Sequence, residues 1–269
     1  MHSLPPRQMD ILEIARQEGR VEVESLAARF EVTPQTIRKD LNELCNLEKL
    51  QRVHGGAVLR SNTVNLAYQS RREIAAEGKA RIGQAVAGLI QNGSSVILNI
   101  GTTTEQVARA LREHQGLMVI TNNLNVAVIL SDAPGVDLIV AGGMVRKADG
   151  GIVGAAAIDL IRQFKVDYAV IGTSAIDEEG ALLDFDYREV RVTQAILAQA
   201  RKTILVADIT KFERRASVQI GQLADIDIFV TDAPPPAAIA GLCREADVEL
   251  VVADTQGAAG PPTAAVRSE

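Results

Sequence analysis

Three consecutive threonines follow a glycine where an apolar, β-rich run gives way to a helical pattern. The run covers residues 96–100, and the turn contains Gly101, Thr102, Thr103 and Thr104. A strand–turn–helix of this kind gathers backbone N–H groups, hydroxyls and the positive end of a helix dipole, which favour a phosphate or a carboxylate. Gly101 also allows the backbone to approach such an anion closely. An ordinary βα turn with a threonine cap remains the alternative.

Further small or polar residues follow the other predicted strands. Because ligands bind beyond the carboxyl ends of the strands in an open α/β sheet, these residues are expected to meet at one edge. We expect the threonine turn to hold a phosphate with a lysine as counter-charge, the amides to bond the phosphate or nearby hydroxyls, and the carboxylates to bind hydroxyls of a carbon chain. Each residue alone could be a cap or a surface group. The candidates are Asn122, Asn123, Gly142, Gly143, Gly151, Asp184, Asp186, Asp208 and Lys211.

A second group of functional residue types lies near the N-terminus. Thr33 is expected to cap a helix with Pro34 in its first turn, and the apolar residues Ile37, Leu41 and Leu44 fall on one face of that helix. The opposite face carries side chains that read bases and hold phosphates, which predicts a helix-turn-helix. A three-helix bundle with a solvated face is the alternative. The outward residues are Gln35, Thr36, Arg38, Lys39 and Asn42.

A hairpin is predicted directly after this helix, with its turn at Gly55 and Gly56. A hairpin beside a recognition helix is typical of a wing. Its cationic side chains, Arg52, His54 and Arg60, would then contact the DNA backbone or a neighbouring groove. A plain hairpin edge without DNA contacts is the alternative.

The remaining pattern divides the chain into four parts. Residues 1–60 contain the helix-turn-helix, whose first helix (6–18) is expected to bury Met9 with four other apolar residues: Ile11, Leu12, Ile14 and Ala15. Residues 61–78 are a polar linker. Residues 79–253 alternate seven apolar strands with helices, which predicts a mostly parallel sheet covered on both faces. Residues 254–269 are predicted to be disordered.

Composition limits the possible classes of function. The 269 residues carry a net charge of −6, but residues 1–60 hold nine basic and nine acidic side chains, so a locally basic surface there can still bind DNA. No apolar run approaches the roughly 18 residues of a membrane helix, and no signal peptide is evident. The two cysteines and three histidines have no metal-ligand spacing. We therefore expect a cytoplasmic protein with no metal site.

These motifs together resemble the DeoR family of bacterial transcriptional regulators. The winged helix-turn-helix is represented by residues 33–41 and 54–57, and the sensor domain by residues 101–103, 121–124, 141–143 and 208–212. The similarity covers about residues 6–252. It implies a winged helix-turn-helix followed by an α/β sensor domain related to ribose-5-phosphate isomerase. The family usually has an arginine where this chain has Lys39, so a bidentate guanine contact is lost there.

Three other segments, residues 149–154, 183–191 and 231–236, are similar to those family members that repress genes of glycerol uptake and catabolism. This similarity implies a homo-oligomer, a dimer or a tetramer, that binds double-stranded operator DNA and is released by glycerol 3-phosphate. No cofactor and no membrane partner are implied, and another sugar phosphate remains an alternative effector.

An enzyme is the competing hypothesis. A sugar-phosphate isomerase could use Asp208, Asp184 or Glu189 as its base and Lys211 as its electrophile, but residues 6–60 would then have no role. A dinucleotide-binding dehydrogenase is excluded, because the turn after residue 100 lacks the spacing Gly-x-Gly-x-x-Gly.

Overall fold

A computed structural model of the protein describes residues 4–18, 20–47, 49–53, 55–59 and 68–253. The chain forms two compact units, Met1–Val64 and Asn65–Glu269. Several predictions lie outside the described residues: His54, Arg60, the first part of the linker (61–67) and the disordered tail. No helix within the described ranges is long and apolar enough to cross a membrane.

The N-terminal unit contains three helices and a small antiparallel sheet. Its elements are α1 (Pro6–Glu18), β1 (Arg20–Glu22), α2 (Val23–Arg29), α3 (Pro34–Asn46), β2 (Leu50–Val53) and β3 (Gly56–Leu59). The predicted inward face of α3 is confirmed, because Ile37, Leu41 and Leu44 are fully buried against Ile11 of α1. One prediction for α1 is wrong. Met9 is 50% exposed, since it lies outside the narrow stripe that faces the other two helices.

The predicted hairpin of β2 and β3 is confirmed, and β1 adds a third strand that the sequence pattern did not predict. The sheet has the order β1-β3-β2. Close packing of β1 on β3 explains one of the two turn glycines: a Cβ on Gly56 would lie 2.0 Å from the carbonyl oxygen of Val21. The other, Gly55, has a φ of +76°, which glycine adopts without strain.

The C-terminal unit is a three-layer α/β domain. Its helices are α4 (Tyr68–Glu73), α5 (Ala76–Leu89), α6 (Thr102–Ala110), α7 (Leu124–Leu130), α8 (Ala155–Ile161), α9 (Tyr187–Leu197) and α10 (Ala237–Glu245). The strands of its main sheet are β4 (Ser95–Leu98), β5 (Leu117–Thr121), β6 (Val136–Val140), β9 (Val166–Gly172), β12 (Ala200–Val206), β14 (Ile228–Thr231) and β15 (Glu249–Val252). Two short antiparallel sheets use β7 (Met144–Val145), β8 (Ile152–Val153), β10 (Ala175–Ile176), β11 (Ala181–Asp184) and β13 (Val218–Gln222).

All seven predicted strands of the main sheet are confirmed, in the parallel order β15-β14-β12-β9-β4-β5-β6. Strand β4 lies at the centre, and successive residues point to opposite faces. Ile97 packs into one buried apolar cluster, whereas Val96 and Leu98 pack into the other. Burial on both faces explains why the strands are continuous apolar runs.

Helical structure begins earlier than the sequence pattern predicts. Helix α4 and the first residues of α5 fall within the part of the chain predicted as a linker, residues 61–78. Tyr68 is the one apolar residue of α4, so its hydrophobic periodicity is weak. Its side chains instead bond to polar groups of the sensor domain, as described below.

Candidate functional site

The threonine turn forms the start of α6, directly after the central strand β4. Its three threonines are buried, but their hydroxyls have different roles. Thr104 Oγ1 lies 2.8 Å from the carbonyl oxygens of both Asn99 and Gly101, so it closes the turn itself. Thr102 Oγ1 donates to the carbonyl of Arg71 at 3.4 Å. Thr103 is the threonine best placed to offer its hydroxyl to a ligand, because no hydrogen bond joins the Thr103 hydroxyl to another described residue.

The two asparagines after β5 hold neighbouring segments in place. Asn123 caps α7 by accepting the amide of Asn125 at 2.9 Å, and it pairs with Gly151 in an antiparallel bridge. Asn122 donates its side-chain amide to the carbonyl of Ile152 at 3.2 Å. The Oδ1 atom of Asn122 is buried and has no hydrogen-bond partner in the described part of the chain. A buried acceptor of this kind needs a donor, such as a ligand hydroxyl.

A lysine that was not among the predicted site residues lies beside Asp208. Lys79 of α5 is only 2% exposed, and its Nζ is 3.7 Å from Asp208 Oδ2. It also donates to the carbonyl oxygens of Arg71 and Ile74. Helical spacing places Lys79 on the inward face of α5 with Ile82. Lysines are mostly exposed, so the sequence pattern did not indicate that this one is buried with polar partners.

Asp208 is fully buried, and cations surround it. We call Asp208, Lys79, Lys211 and Arg214 the cationic cluster. Burial would raise the pKa of Asp208, but the charges of Lys211 and Lys79 and a hydrogen bond from Thr210 lower it below its usual value. Burial lowers the pKa of Lys211 to about 7, although Asp208 opposes this. Three basic side chains, two of them buried, therefore adjoin a single carboxylate, and an anion beside them would stabilise their charged forms.

Carboxylates dominate a second group, the carboxylate cluster, which consists of Arg146, Asp149, Asp184, Asp186 and Glu189. Arg146 binds Asp149 through two bonds of 2.8 and 2.7 Å, and it contacts Asp186 at 3.1 Å and Glu189 at 2.5 Å. Burial raises the pKa of Glu189, and the charge of Asp184 raises it further. Burial also raises the pKa of Asp184. Bonds from Arg188 and Arg146 lower the pKa of Asp186, and bonds from Arg146 and Arg71 outweigh burial and lower the pKa of Asp149. Of the four carboxyls, Asp184 and Glu189 therefore favour the protonated form, which can exchange hydrogen bonds with hydroxyls.

Arg71 of α4 lies between the two clusters. Its Nη2 donates to Asp149 Oδ2 at 2.9 Å, while its carbonyl oxygen accepts from Lys79 and Thr102. Its charge also contributes to the lowered pKa of Lys211. The structure therefore brings the threonine turn, both clusters and Asn123 into one hydrogen-bonded site, since Asn125 links the carbonyl of Asp149 to this region.

Some predicted residues lie elsewhere in the site or outside it. Gly142 and Gly143 are exposed between β6 and β7, and no hydrogen bond connects them to the threonine turn among the described residues. Gly151 is buried, and a Cβ there would lie 2.6 Å from Ile100 Cδ1, so its glycine is explained by packing. Four cations of the site were missed as ligand-binding candidates: Arg71, Lys79, Arg146 and Arg214. Their positions on different elements gave no local motif.

The N-terminal unit presents the predicted DNA-binding face. Thr33 Oγ1 accepts the amide of Thr36 at 3.3 Å, which confirms the predicted cap of α3. Thr36 is half-buried, whereas the other outward residues of α3 and Arg52 of β2 are exposed: Gln35, Arg38, Lys39 and Asn42. Arg38 is 3.6 Å from Glu24 of α2, an exposed pair that costs little to break on contact with a phosphate.

One buried polar residue orients this face. Asp40 of α3 is 5% exposed, and it accepts hydrogen bonds from Arg7 at 2.6 Å and from Gln8 at 3.2 Å. Both donors belong to α1. The contact fixes the rotation of α3 about its axis, so that its polar face stays outward.

Comparisons with known proteins agree with this arrangement. Residues 7–63 match the family model of the DeoR-like helix-turn-helix domain, and residues 74–233, more than half of the chain, match that of the DeoR C terminal sensor domain. The chain is 44% identical to the glycerol-3-phosphate regulon repressor of Escherichia coli K12, over 91% of this chain and 97% of that protein. It is 43% identical to the repressor of the same name from Haemophilus influenzae, over 91% and 96%. It is also 38% identical to the HTH-type transcriptional repressor CsqR of Escherichia coli K12, over 92% and 95%.

Solved structures show weaker likeness. A ribose-5-phosphate isomerase in complex with phospho-erythronic acid is 16% identical, over 51% of this chain and 54% of that chain, with a TM-score of 0.38. The translation initiation factor eIF-2B of Pyrococcus horikoshii OT3 is 17% identical, over 78% and 81%, with a TM-score of 0.42. Scores below 0.5 do not establish a shared fold, so the expected relation to the isomerase stays a prediction.

The predicted winged helix-turn-helix and its mostly parallel α/β partner are confirmed by these family models and by the sheet order. The similar full-length proteins are repressors, so the isomerase hypothesis is set aside in favour of a regulator that binds DNA and a small-molecule effector. This chain belongs to the DeoR family of transcriptional regulators.

Proposed function

We propose that this protein represses genes of glycerol and glycerol 3-phosphate metabolism and leaves its operator when glycerol 3-phosphate binds the sensor domain. The observation that carries this proposal is the pair of clusters on either side of Arg71. Three basic side chains, of which Lys79 and Lys211 are buried, lie near one end, and four carboxyl groups lie near the other. Glycerol 3-phosphate has a matching division, with a dianionic phosphate at one end and two hydroxyls at the other.

The phosphate is assigned to the cationic cluster and the start of α6. There Lys211 supplies a buried amine that the phosphate would keep charged, and the first amides of α6 supply further donors. Thr103 supplies a hydroxyl that no other described residue binds. The hydroxyls of the effector are assigned to Asp184, Glu189 and the oxygen of Asn122, which has no partner in the described part of the chain. Raised pKa values let the two carboxyls donate as well as accept hydrogen bonds.

Release of DNA follows from linkage. The effector must bind the DNA-incompetent state more tightly than the DNA-competent state, and the two affinities differ by the same factor by which the effector weakens operator binding. A change from mostly bound to mostly free needs a difference of roughly 5 kcal/mol across the assembly. No cofactor enters this proposal.

We also propose that the protein acts as a homo-oligomer. The exposed face of α3 presents only a short set of base-reading side chains, so two copies are needed to read the two halves of a palindromic operator. Light scattering after size-exclusion chromatography should give a mass of at least two chains. A monomer at micromolar concentration would contradict this part of the proposal.

Calorimetric titration with a small panel of compounds tests the effector. Glycerol 3-phosphate should bind more tightly than inorganic phosphate, which lacks the hydroxyls, and glycerol, which lacks the charge, should give no measurable heat. Glucose 6-phosphate, ribose 5-phosphate and dihydroxyacetone phosphate represent the other sugar phosphates. Tighter binding of one of these would transfer the role of effector to it. Binding of glycerol as tightly as glycerol 3-phosphate would reject the phosphate assignment.

A further inference from the structure

Arg71 occupies a special place along the chain. It lies in α4, the first described helix after residues 61–67, and those residues lead from the N-terminal unit. Its side chain is 14% exposed and pairs with Asp149 at 2.9 Å. Its backbone carbonyl accepts from Lys79 and from Thr102. One residue therefore connects the segment before the sensor domain to three parts of the effector site.

One hydrogen-bond donor of the Arg71 guanidinium is unused within the described part of the chain. Its Nε is buried and has no hydrogen-bond partner among the residues that the structure describes. A guanidinium has donors and no acceptor, so only an acceptor atom can satisfy this N–H. The carbonyl of Arg71 accepts from Lys79, which lies 3.7 Å from Asp208, so Arg71 adjoins the cationic cluster. A buried charged donor without an acceptor indicates a place for an anionic ligand atom.

We propose that Arg71 binds the anionic group of the effector through its free Nε–H, and that this contact ties the segment leading from the DNA-binding domain to the occupied site. The inference rests on the proposed function for the identity of the effector. The role differs from that of Lys211, which follows β12 and is far along the chain from the segment that leads from the N-terminal unit. Loss of Lys211 removes affinity alone, whereas loss of Arg71 removes affinity and also the transmission of binding to DNA.

Substitutions of Arg71 can separate its two proposed functions, binding of the effector and transmission of that binding to DNA. Arg71→Lys keeps a cation but has no Nε–H at the same position, and a flexible ammonium cannot hold Asp149 and a ligand in one fixed geometry. We expect Arg71→Lys to keep part of the effector affinity while operator release at saturating effector falls. Arg71→Met removes the charge as well. The matched control is Arg72→Met, because Arg72 is exposed on the same helix and contacts the ring of Tyr68.

The test measures two quantities for the wild type and for these three variants. The first is the dissociation constant for glycerol 3-phosphate and for inorganic phosphate, by calorimetry. The second is the ratio of operator dissociation constants with and without saturating effector, by fluorescence anisotropy. Arg71→Met should weaken binding of both ligands at least tenfold. Arg71→Lys should lower the operator ratio at saturation at least threefold. Arg72→Met should match the wild type in both quantities.

The outcomes separate this inference from the proposed function. Unchanged ligand affinity and operator ratio in both Arg71 variants would overturn the role of Arg71 while leaving the effector assignment intact. If the wild type binds inorganic phosphate but not glycerol 3-phosphate, the proposed effector is wrong, and the phosphate titrations still decide the role of Arg71. A wild type that binds neither ligand would overturn both. Unaltered circular dichroism and operator binding without effector establish that each variant is folded.

Discussion

Binding of the effector should take up a proton at Lys211. Burial lowers the pKa of this lysine to about 7 in the free protein, so most of it is neutral above that pH. A dianionic phosphate beside Nζ favours the ammonium form and raises its pKa again. The second pKa of a phosphate monoester is about 6, so at pH 8 the ligand itself is already fully ionised. A proton taken up on binding at pH 8 is therefore bound by the protein and not by the phosphate.

The size of the effect follows from the same pKa. A lysine with a pKa of about 7 is roughly 90% deprotonated at pH 8, so binding should take up about 0.9 proton if the bound form is fully protonated. The slope of log Kd against pH equals the number of protons taken up. The effector should therefore bind roughly ninefold more weakly at pH 9 than at pH 8, and roughly tenfold more weakly for each further unit of pH.

Calorimetry in buffers of different ionisation enthalpy measures this number directly. The observed enthalpy at pH 8 should vary linearly with the ionisation enthalpy of the buffer, with a slope equal to the proton uptake. Lys211→Met should weaken binding and reduce the slope, while Arg72→Met, at an exposed residue of α4, should leave the slope in place. An enthalpy that does not depend on the buffer, or an unchanged slope in Lys211→Met, would refute the placement of the phosphate beside Lys211.

Three other substitutions test separate parts of the structure. Thr103→Val removes a hydroxyl while keeping the shape of the side chain, so it should weaken effector binding by about 1 kcal/mol and leave operator binding unchanged; normal induction of a reporter gene would count against the threonine turn. Arg38→Ala should weaken operator binding and reduce its salt slope by about 1, as measured by anisotropy across a salt series; wild-type values would mean that α3 is not the recognition helix. Asp40→Ala removes the contacts with Arg7 and Gln8, so urea unfolding should show a loss of about 1–3 kcal/mol, whereas the exposed Asp10→Ala should have no effect.

The main sheet could be predicted because its signal is local. Each of its strands is a short apolar run between helical patterns. Such a run is the pattern expected of a parallel strand that is buried on both faces. The small antiparallel sheets were not predicted, because some of their strands are too short to show an alternating pattern. Two of these strands, β7 (Met144–Val145) and β10 (Ala175–Ile176), have only two residues each.

The site was only partly predictable, because its electrostatics arise from tertiary contacts. Lys211 and Asp208 lie three residues apart, and their pairing could be inferred from the motif. Lys79 and Arg71 reach the same place from helices that precede the first strand of the sheet, and nothing in their local sequence indicates burial. Only the folded chain shows that the predicted linker supplies Arg71 to the site.

An anion bound in the sensor domain should weaken the binding of α3 to DNA. The most direct measurement is the dissociation constant for an operator duplex, selected from a random library, with and without saturating glycerol 3-phosphate. We expect the effector to weaken operator binding at least tenfold in the wild type. We expect the Lys211→Met variant to require far more effector for the same change. An operator affinity that stays the same at saturating glycerol 3-phosphate would contradict this prediction.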